Sequence, residues 1–173
     1  KSNAAFSFDK LRWLNGEHIR ALSPEEFHKR ALPFYPAGFD RFDMEQLSAL
    51  IQVRTENLAD IPALVGFFAD LPEYDVDLFV HEKSRSTLES SKRVLQGVQP
   101  LFEGIEGWSN ETLFDVLKSF SKEQGLKVGT VMWPIRTALS GQATSPGGAT
   151  ELAAILGKEE TMRRIALGLE KLG

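Results

Sequence analysis

Apolar residues that return every third or fourth position, in runs opened by capping residues, constrain this chain more than any other feature of its sequence. Ser23-Pro24-Glu25-Glu26 combines an N-cap serine, a proline suited to the first helical position and a glutamate three residues after the serine. Asp43 is followed by Gln46 in the same way, and Ser109-Asn110-Glu111-Thr112 opens a further run. No long β-branched alternation competes with this pattern. The sequence therefore predicts an all-α fold.

The helices are predicted to form two packed subdomains. Periodicity breaks over residues 70–82, where Pro72 and several acidic residues interrupt it. We assign residues 5–72 to the first helical subdomain and 73–173 to the second. Residues 1–4 resemble a cloning remnant and are not expected to be part of the fold. Two helices predicted within these limits cover residues 8–22 and 84–102, the first with an apolar stripe formed by Phe8, Leu11, Leu14, His18 and Leu22.

Arg54 lies out of pattern in the helix predicted after Asp43. It falls in the apolar stripe of that helix, which is formed by Leu47, Leu50, Ile51 and Leu58. A buried or half-buried arginine is costly unless it is paired. Arg54 therefore either has an acidic partner or lies where the stripe reaches a binding surface. The residues alone leave both open and slightly favour an internal ion pair.

The stretch from Gly129 to Gly148 carries a second arginine of interest. Its helix is predicted to end at Gly141, a residue suited to the left-handed position after a helix end. Arg136, about 100° around from the core-facing Ile135, is predicted at the margin of the apolar stripe. Ser145-Pro146 is typical of an N-cap and first helical residue. Periodicity alone favours a snorkelling arginine at an ordinary helix-loop-helix corner, and a polar binding site is the alternative.

Composition excludes several classes of chemistry. The 173 residues contain no cysteine, which removes disulfides, thiolate catalysis and cysteine-ligated zinc and is typical of a cytoplasmic protein. There is no phosphate-binding G-x-x-x-x-G-K-[ST] loop, no G-x-G-x-x-G and no G-x-S-x-G. The three histidines are scattered without metal-ligand spacing, so no metal site is expected, and the tryptophans are interpreted as core or interface aromatics. No stretch is long and apolar enough to predict a membrane span.

The net charge of −4 argues against indiscriminate nucleic-acid binding through bulk charge. A local group of arginines could still bind RNA, where bases in single-stranded loops are accessible. Charge therefore limits the kind of nucleic-acid binding that is expected and does not exclude it.

Four ordered blocks carry a resemblance to a known family. They are FDKLRWLNGEHIR at 8–20, KVGTVMWPIRTALSG at 127–141, SPGG at 145–148 and ILGKEETMRRI at 155–165. Together they resemble the C-terminal anticodon-binding region of bacterial glutamyl-tRNA synthetase, a class I aminoacyl-tRNA synthetase. The resemblance implies an all-helical module that binds the anticodon of tRNA-Glu. It also implies a separate N-terminal catalytic domain that uses ATP with magnesium, since the H-I-G-H and K-M-S-K-S signatures are absent here, so this chain is expected to be inactive alone.

The resemblance also implies site residues. Arg54 matches the arginine associated with discrimination of the third anticodon base, Arg136 matches the arginine of a P-[LI]-R block, and Ser145 and Pro146 match an [ST]-P pair in the anticodon pocket. Gly148 stands where the family often has leucine, and glycine has no side chain to pack against a base. His18 replaces a common tyrosine.

The resemblance implies contact with the protein's own catalytic domain and a monomer in the cytoplasm, with no membrane and no metal. A helical protein-interaction or regulatory module derived from the same domain is the alternative function. An independent small hydrolase is a distant third, because no nucleophile and base pattern is found.

Overall fold

The computed structural model describes residues 7–173, so the proposed cloning remnant lies outside the described residues. Over that range the chain forms nine α-helices and short 3₁₀ turns, with an isolated antiparallel bridge between His81 and Ser86 and no sheet. The all-α prediction is confirmed. No helix within residues 7–173 is both long and apolar enough to cross a membrane. The chain divides into two compact units, with unit 1 ending at Ala69 and unit 2 beginning at Asp70.

Unit 1 contains four α-helices, and the predicted capping residues begin two of them. The Ser23 hydroxyl accepts a hydrogen bond from the Glu26 N–H (3.2 Å), and Asp43 Oδ1 accepts one from the Gln46 N–H (3.0 Å). The core is aromatic and aliphatic and includes the fully buried Phe27, Leu47, Ile51, Ile61 and Val65. The helices are α1 (Phe8–Ala21), α2 (Pro24–Ala31), α3 (Met44–Gln52) and α4 (Ile61–Ala69), with 3₁₀ turns at Leu32–Phe34, Phe39–Arg41 and Leu58–Asp60.

Helix α1 has nearly the predicted bounds, but its apolar stripe does not face the core of unit 1. Phe8 is 84% exposed, and Leu11 and Leu14 are also exposed. The buried residues of α1 are instead Gly16 and Ile19. Arg12 on the same helix pairs with Asp60 (2.7 Å) on the neighbouring 3₁₀ turn. The periodicity predicted the helix correctly and its inward face wrongly.

Unit 2 contains five α-helices arranged around α7. These are α5 (Leu88–Glu103), α6 (Asn110–Glu123), α7 (Val128–Ser140), α8 (Ala149–Leu156) and α9 (Lys158–Leu172), preceded by a 3₁₀ turn at Val76–Phe79. Helix α7 packs against each of the other four, and most of its residues are buried. Helix α5 begins four residues later than predicted because Thr87 and Ser90 form a reciprocal cap. The core of unit 2 therefore surrounds the helix that carries Arg136.

Helices α7 and α9 are tied together by a buried charged group. Arg164 on α9 is fully buried and donates from NH1 to the carbonyl oxygen of Leu139 in the last turn of α7 (2.6 Å). Its Nε donates to Glu160 Oε1 (2.6 Å). Carbonyls in the last turn of a helix lack partners within the helix, so this arginine supports the end of α7 from which the 141–148 loop leaves.

Candidate nucleic-acid interface

Arg136 holds the loop that follows its own helix. Its NH1 donates to the Gln142 carbonyl oxygen (3.3 Å) and to Ser145 Oγ (3.0 Å), and its NH2 donates to the Ala143 carbonyl oxygen (3.1 Å). Burial lowers the pKa of Arg136 from its usual value. Since arginine has five N–H groups, Nε–H and one NH2 proton have no acceptor among the described residues. Arg136 can therefore anchor the loop and still donate to a polar partner.

Trp133 lies directly against Arg136, one turn earlier on α7. The Arg136 guanidinium carbon is 4.2 Å from the centre of the Trp133 ring, and the His81 ring stacks on the same indole at 3.6 Å with an interplanar angle of 4°. The indole N–H donates to the Leu78 carbonyl oxygen (2.9 Å). Sequence analysis did not connect these residues, although the three-residue spacing of Trp133 and Arg136 places both on one face of the helix. Trp133 supports the arginine.

The end of α7 requires the predicted glycine. Gly141 has φ +60° and ψ +25°, and its N–H donates to the Thr137 carbonyl oxygen (2.8 Å). A Cβ at this position would lie 2.8 Å from Tyr74 Cδ1 and 3.1 Å from the Pro72 carbonyl oxygen. Glycine is therefore needed at this position both for its left-handed backbone and for the close approach of Pro72 and Tyr74.

Ser145 and Pro146 do not begin the next helix, so that prediction was wrong. Helix α8 starts at Ala149, with Gly148 as its N-cap, and the Glu151 carboxylate accepts the Gly148 N–H (2.8 Å). Ser145 Oγ instead donates to the Gly147 carbonyl oxygen (2.8 Å) while accepting from Arg136. Two glycines after Pro146 disfavour helix in the first turn that was predicted. Pro146 is buried, Ser145 is half-buried and Gly148 is exposed.

Arg54 lies outside the helix that was predicted to contain it. Helix α3 ends at Gln52, and the Arg54 N–H closes a turn onto the Ile51 carbonyl oxygen (2.9 Å). Its side chain is exposed and forms no ion pair or hydrogen bond within residues 7–173. Thr55 occupies the buried position instead, with its hydroxyl donating to Ile51 (2.8 Å). The prediction of an internal ion pair for Arg54 is thus wrong, and its side chain is exposed to solvent.

A cleft of about 460 Å³ opens in unit 1 beside this turn. Arg54 does not line it, but Asn57, which caps the following 3₁₀ turn, does. Half of the side chains in its wall are polar, whereas small-molecule sites are mostly apolar. Its residues are Asn15, His18, Ile19, Leu22, Arg30, Phe34, Asn57 and Leu58. No group of three or more His, Asp or Glu side chains in the described part of the chain could hold a metal ion.

Comparison with known proteins identifies the family of this helical chain. The family model described as "Anticodon binding domain" matches residues 26–169. The chain belongs to the anticodon binding domain family. That match includes Arg54, Arg136 and the 142–148 loop, so every proposed site residue lies inside the domain.

The chain is also similar to part of longer curated proteins. It is 49% identical over 173 residues to a glutamate-tRNA ligase from Clostridium tetani, covering 99% of this chain and 36% of that protein. A glutamate-tRNA ligase from Clostridium novyi is 47% identical over 177 residues, with the same two coverages. The chain thus spans about a third of the length of these relatives. Neither relative favours the protein-interaction alternative.

Solved structures support the fold. A glutamate tRNA ligase from Elizabethkingia meningosepticum superposes with a TM-score of 0.77 at 24% identity, covering 100% of this chain and 34% of that chain. A glutamate-tRNA synthetase from Elizabethkingia anophelis gives a TM-score of 0.72 at 24% identity, covering 98% of this chain and 33% of that chain. At this identity the likeness concerns the fold of the anticodon binding domain alone.

Proposed function

We propose that this anticodon binding domain recognises the anticodon of tRNA-Glu as the C-terminal part of a glutamate-tRNA ligase. The observation that carries the proposal is the family match over residues 26–169, in a chain 49% identical to a curated ligase of that name. The parent enzyme would attach glutamate to tRNA-Glu using ATP with magnesium in its N-terminal catalytic domain. It would act in the cytoplasm as a monomer.

In unit 2, the proposed RNA contacts are Arg136, Ser145, Pro146 and Gly148. The unshared donors of Arg136 can bind acceptors on a base edge, and its planar guanidinium can also cover a base. The loop held by Arg136 would present the half-buried Ser145 hydroxyl beside these donors. Gly148 has no side chain to pack against a base, so we expect this part of the contact to be weak.

In unit 1, the proposed base reader is Arg54. The exposed guanidinium has all five of its N–H groups free of acceptors within the described residues. Arginine can donate two parallel hydrogen bonds to a base edge, which is the geometry that discriminates bases. We assign Arg54 to the third anticodon base.

The test measures binding of the chain to an unmodified tRNA-Glu transcript and to a transcript with a substituted third anticodon base. We expect tighter binding to tRNA-Glu, a preference that persists across a salt series, and weaker binding to both RNAs as salt rises. Equal binding of the two transcripts by a folded chain would contradict anticodon recognition. Circular dichroism provides the control for folding.

A further inference from the structure

Residues 81–86 form a tight turn that the proposed anticodon contacts do not use. The N–H groups of His81 and Ser86 each donate to the other's carbonyl oxygen at 3.0 Å, which closes the turn. Inside it, the Arg85 N–H donates to the Glu82 carbonyl oxygen (2.9 Å). We call this element, with the sequence HEKSRS, the 81–86 turn.

The 81–86 turn holds a strained residue. Arg85 has φ +52° and is the one non-glycine residue with positive φ among the described residues. Side chains larger than glycine or asparagine are disfavoured there, and such conformations persist only where surrounding contacts enforce them. The Arg85 side chain is nevertheless exposed to solvent, like that of Lys83. The turn therefore keeps a cation at a position that a glycine would occupy with less strain.

The 81–86 turn is anchored to the helix that carries Arg136. The Thr130 hydroxyl of α7 donates to the Ser84 carbonyl oxygen (2.6 Å), and the His81 ring stacks on Trp133. The Ser84 N–H donates to His81 Nδ1 (3.2 Å), which makes that nitrogen an acceptor and fixes the ring orientation. Since Trp133 also contacts Arg136, packed side chains connect the turn to the 142–148 loop.

The charges of the turn face solvent. Neither Lys83 nor Arg85 takes part in an ion pair within residues 7–173, and both side chains are exposed. Glu82 is the acidic residue of the same turn. In a chain with a net charge of −4, contacts to RNA phosphates must come from local cations of this kind. Phosphate contacts fix the position of an RNA without reading its sequence.

We propose that the 81–86 turn binds the phosphate backbone of the RNA segment adjoining the bases contacted by the 142–148 loop. Lys83 Nζ and the Arg85 guanidinium make the phosphate contacts, and His81 is a positioning residue that holds the turn against Trp133. This inference rests on the proposed function, because it takes tRNA as the partner. In this proposal the turn contributes to the affinity for tRNA, and other residues discriminate between bases.

The test compares the chain with the double variant Lys83→Ala/Arg85→Gly. Glycine relieves the strain at position 85, so the unfolding temperature should stay the same or rise. The Kd for an unmodified tRNA-Glu transcript should rise roughly tenfold at about 0.1 M salt, and the salt dependence of log K should weaken by about one per contact removed. The Kd for a transcript with a substituted anticodon should rise by the same factor.

The matched control, Lys118→Ala/Lys122→Ala, removes two exposed cations from α6. We expect it to leave the salt slope unchanged. A charge-preserving variant, Lys83→Arg/Arg85→Lys, should bind nearly as the original chain does. The inference is overturned if the turn variant and the α6 control lose binding equally, or if neither loses binding. In both cases the proposed function stands. Failure of the unsubstituted chain to bind tRNA-Glu would instead overturn the proposed function and, with it, this inference.

Discussion

At the scale of single residues, the two arginines proposed to contact RNA have different environments. Arg136 is half-buried and donates to three groups in the loop that follows it. Arg54 is exposed and has no partner in the described part of the chain. Replacement of Arg136 therefore changes both the loop and its surface, whereas replacement of Arg54 changes the surface alone. Only Arg54 allows a clean separation of specificity from stability.

Arg54→Gln should relax discrimination at the third anticodon base by about 1–3 kcal/mol. Its effect on the free energy of unfolding should stay within about 0.5 kcal/mol, because exposed side chains away from capping or packing contacts contribute little. Thermal unfolding and paired Kd values for tRNA-Glu and a third-base variant check both parts. Arg93→Gln, another exposed arginine, serves as the control. A large fall in the unfolding temperature would mean that Arg54 has a structural partner.

At the scale of elements, the end of α7 decides where the 142–148 loop begins. Gly141→Ala should be strongly destabilising, because alanine must adopt φ +60° and its Cβ would approach Tyr74 Cδ1 to 2.8 Å. Gly125→Ala is the matched control, since Gly125 has φ +63° and no atom within 4 Å of such a Cβ. We expect the free energy of unfolding to fall by about 1–2 kcal/mol in the control, and by a further 1–3 kcal/mol in Gly141→Ala. Urea unfolding of both variants measures the difference. An equal loss of stability in the two variants would contradict the predicted clash with Tyr74.

The tie between α9 and α7 should make stability depend on acid pH. Hydrogen bonds from Arg163, together with those from the buried Arg164, lower the pKa of Glu160 to about 2. A carboxyl group whose pKa is lowered by folding stabilises the protein above its unfolded pKa of about 4.5. That contribution is lost as the pH falls from about 4.5 toward 2, and because Arg163 and part of Glu160 are exposed, solvent screening holds it to about 1–2 kcal/mol.

Glu160→Gln should therefore lower the free energy of unfolding by about 1–2 kcal/mol at pH 7, and by less at pH 3. Urea unfolding at both pH values checks this. Glu159→Gln removes an exposed carboxylate at the neighbouring position and should have little effect at either pH. A difference between Glu160→Gln and the original chain that does not shrink with falling pH would show that the carboxylate acts through packing.

At the scale of the whole molecule, unit 1 and unit 2 each have a buried core of their own. Unit 2 contains Arg136, the 142–148 loop and the 81–86 turn, while Arg54 lies in unit 1. A segment with its own hydrophobic core is expected to fold alone. The proposed roles can therefore be separated by cutting the chain between the units.

Residues 70–173 expressed alone should unfold cooperatively and bind a tRNA-Glu transcript without preference at the third anticodon base. The missing preference follows from the assignment of that base to Arg54. Thermal circular dichroism and binding to the two transcripts measure the outcome. The full chain is the reference for both measurements. Retained third-base discrimination in the shorter chain would contradict the role of Arg54.

Helix formation and capping were predictable because they depend on neighbours in the chain. Ser23, Asp43 and Ser109 cap the helices that the sequence predicts, and Gly141 ends α7 in the left-handed conformation. Each of these interactions joins residues a few positions apart. The four ordered blocks likewise indicated the family, since they lie in the sequence itself.

Long-range contacts and competition at helix ends decided the rest. The stripe of α1 faces away from the core of unit 1, and α3 stops before Arg54, outcomes that apolar spacing did not predict. Likewise, His81 stacks on a tryptophan 52 positions later in the chain. Local hydrogen bonds and apolar spacing thus determined which residues are helical. Only tertiary packing decided which side chains are buried. It also decided that Arg136 anchors a loop and that Arg54 stays exposed, where it can bind RNA.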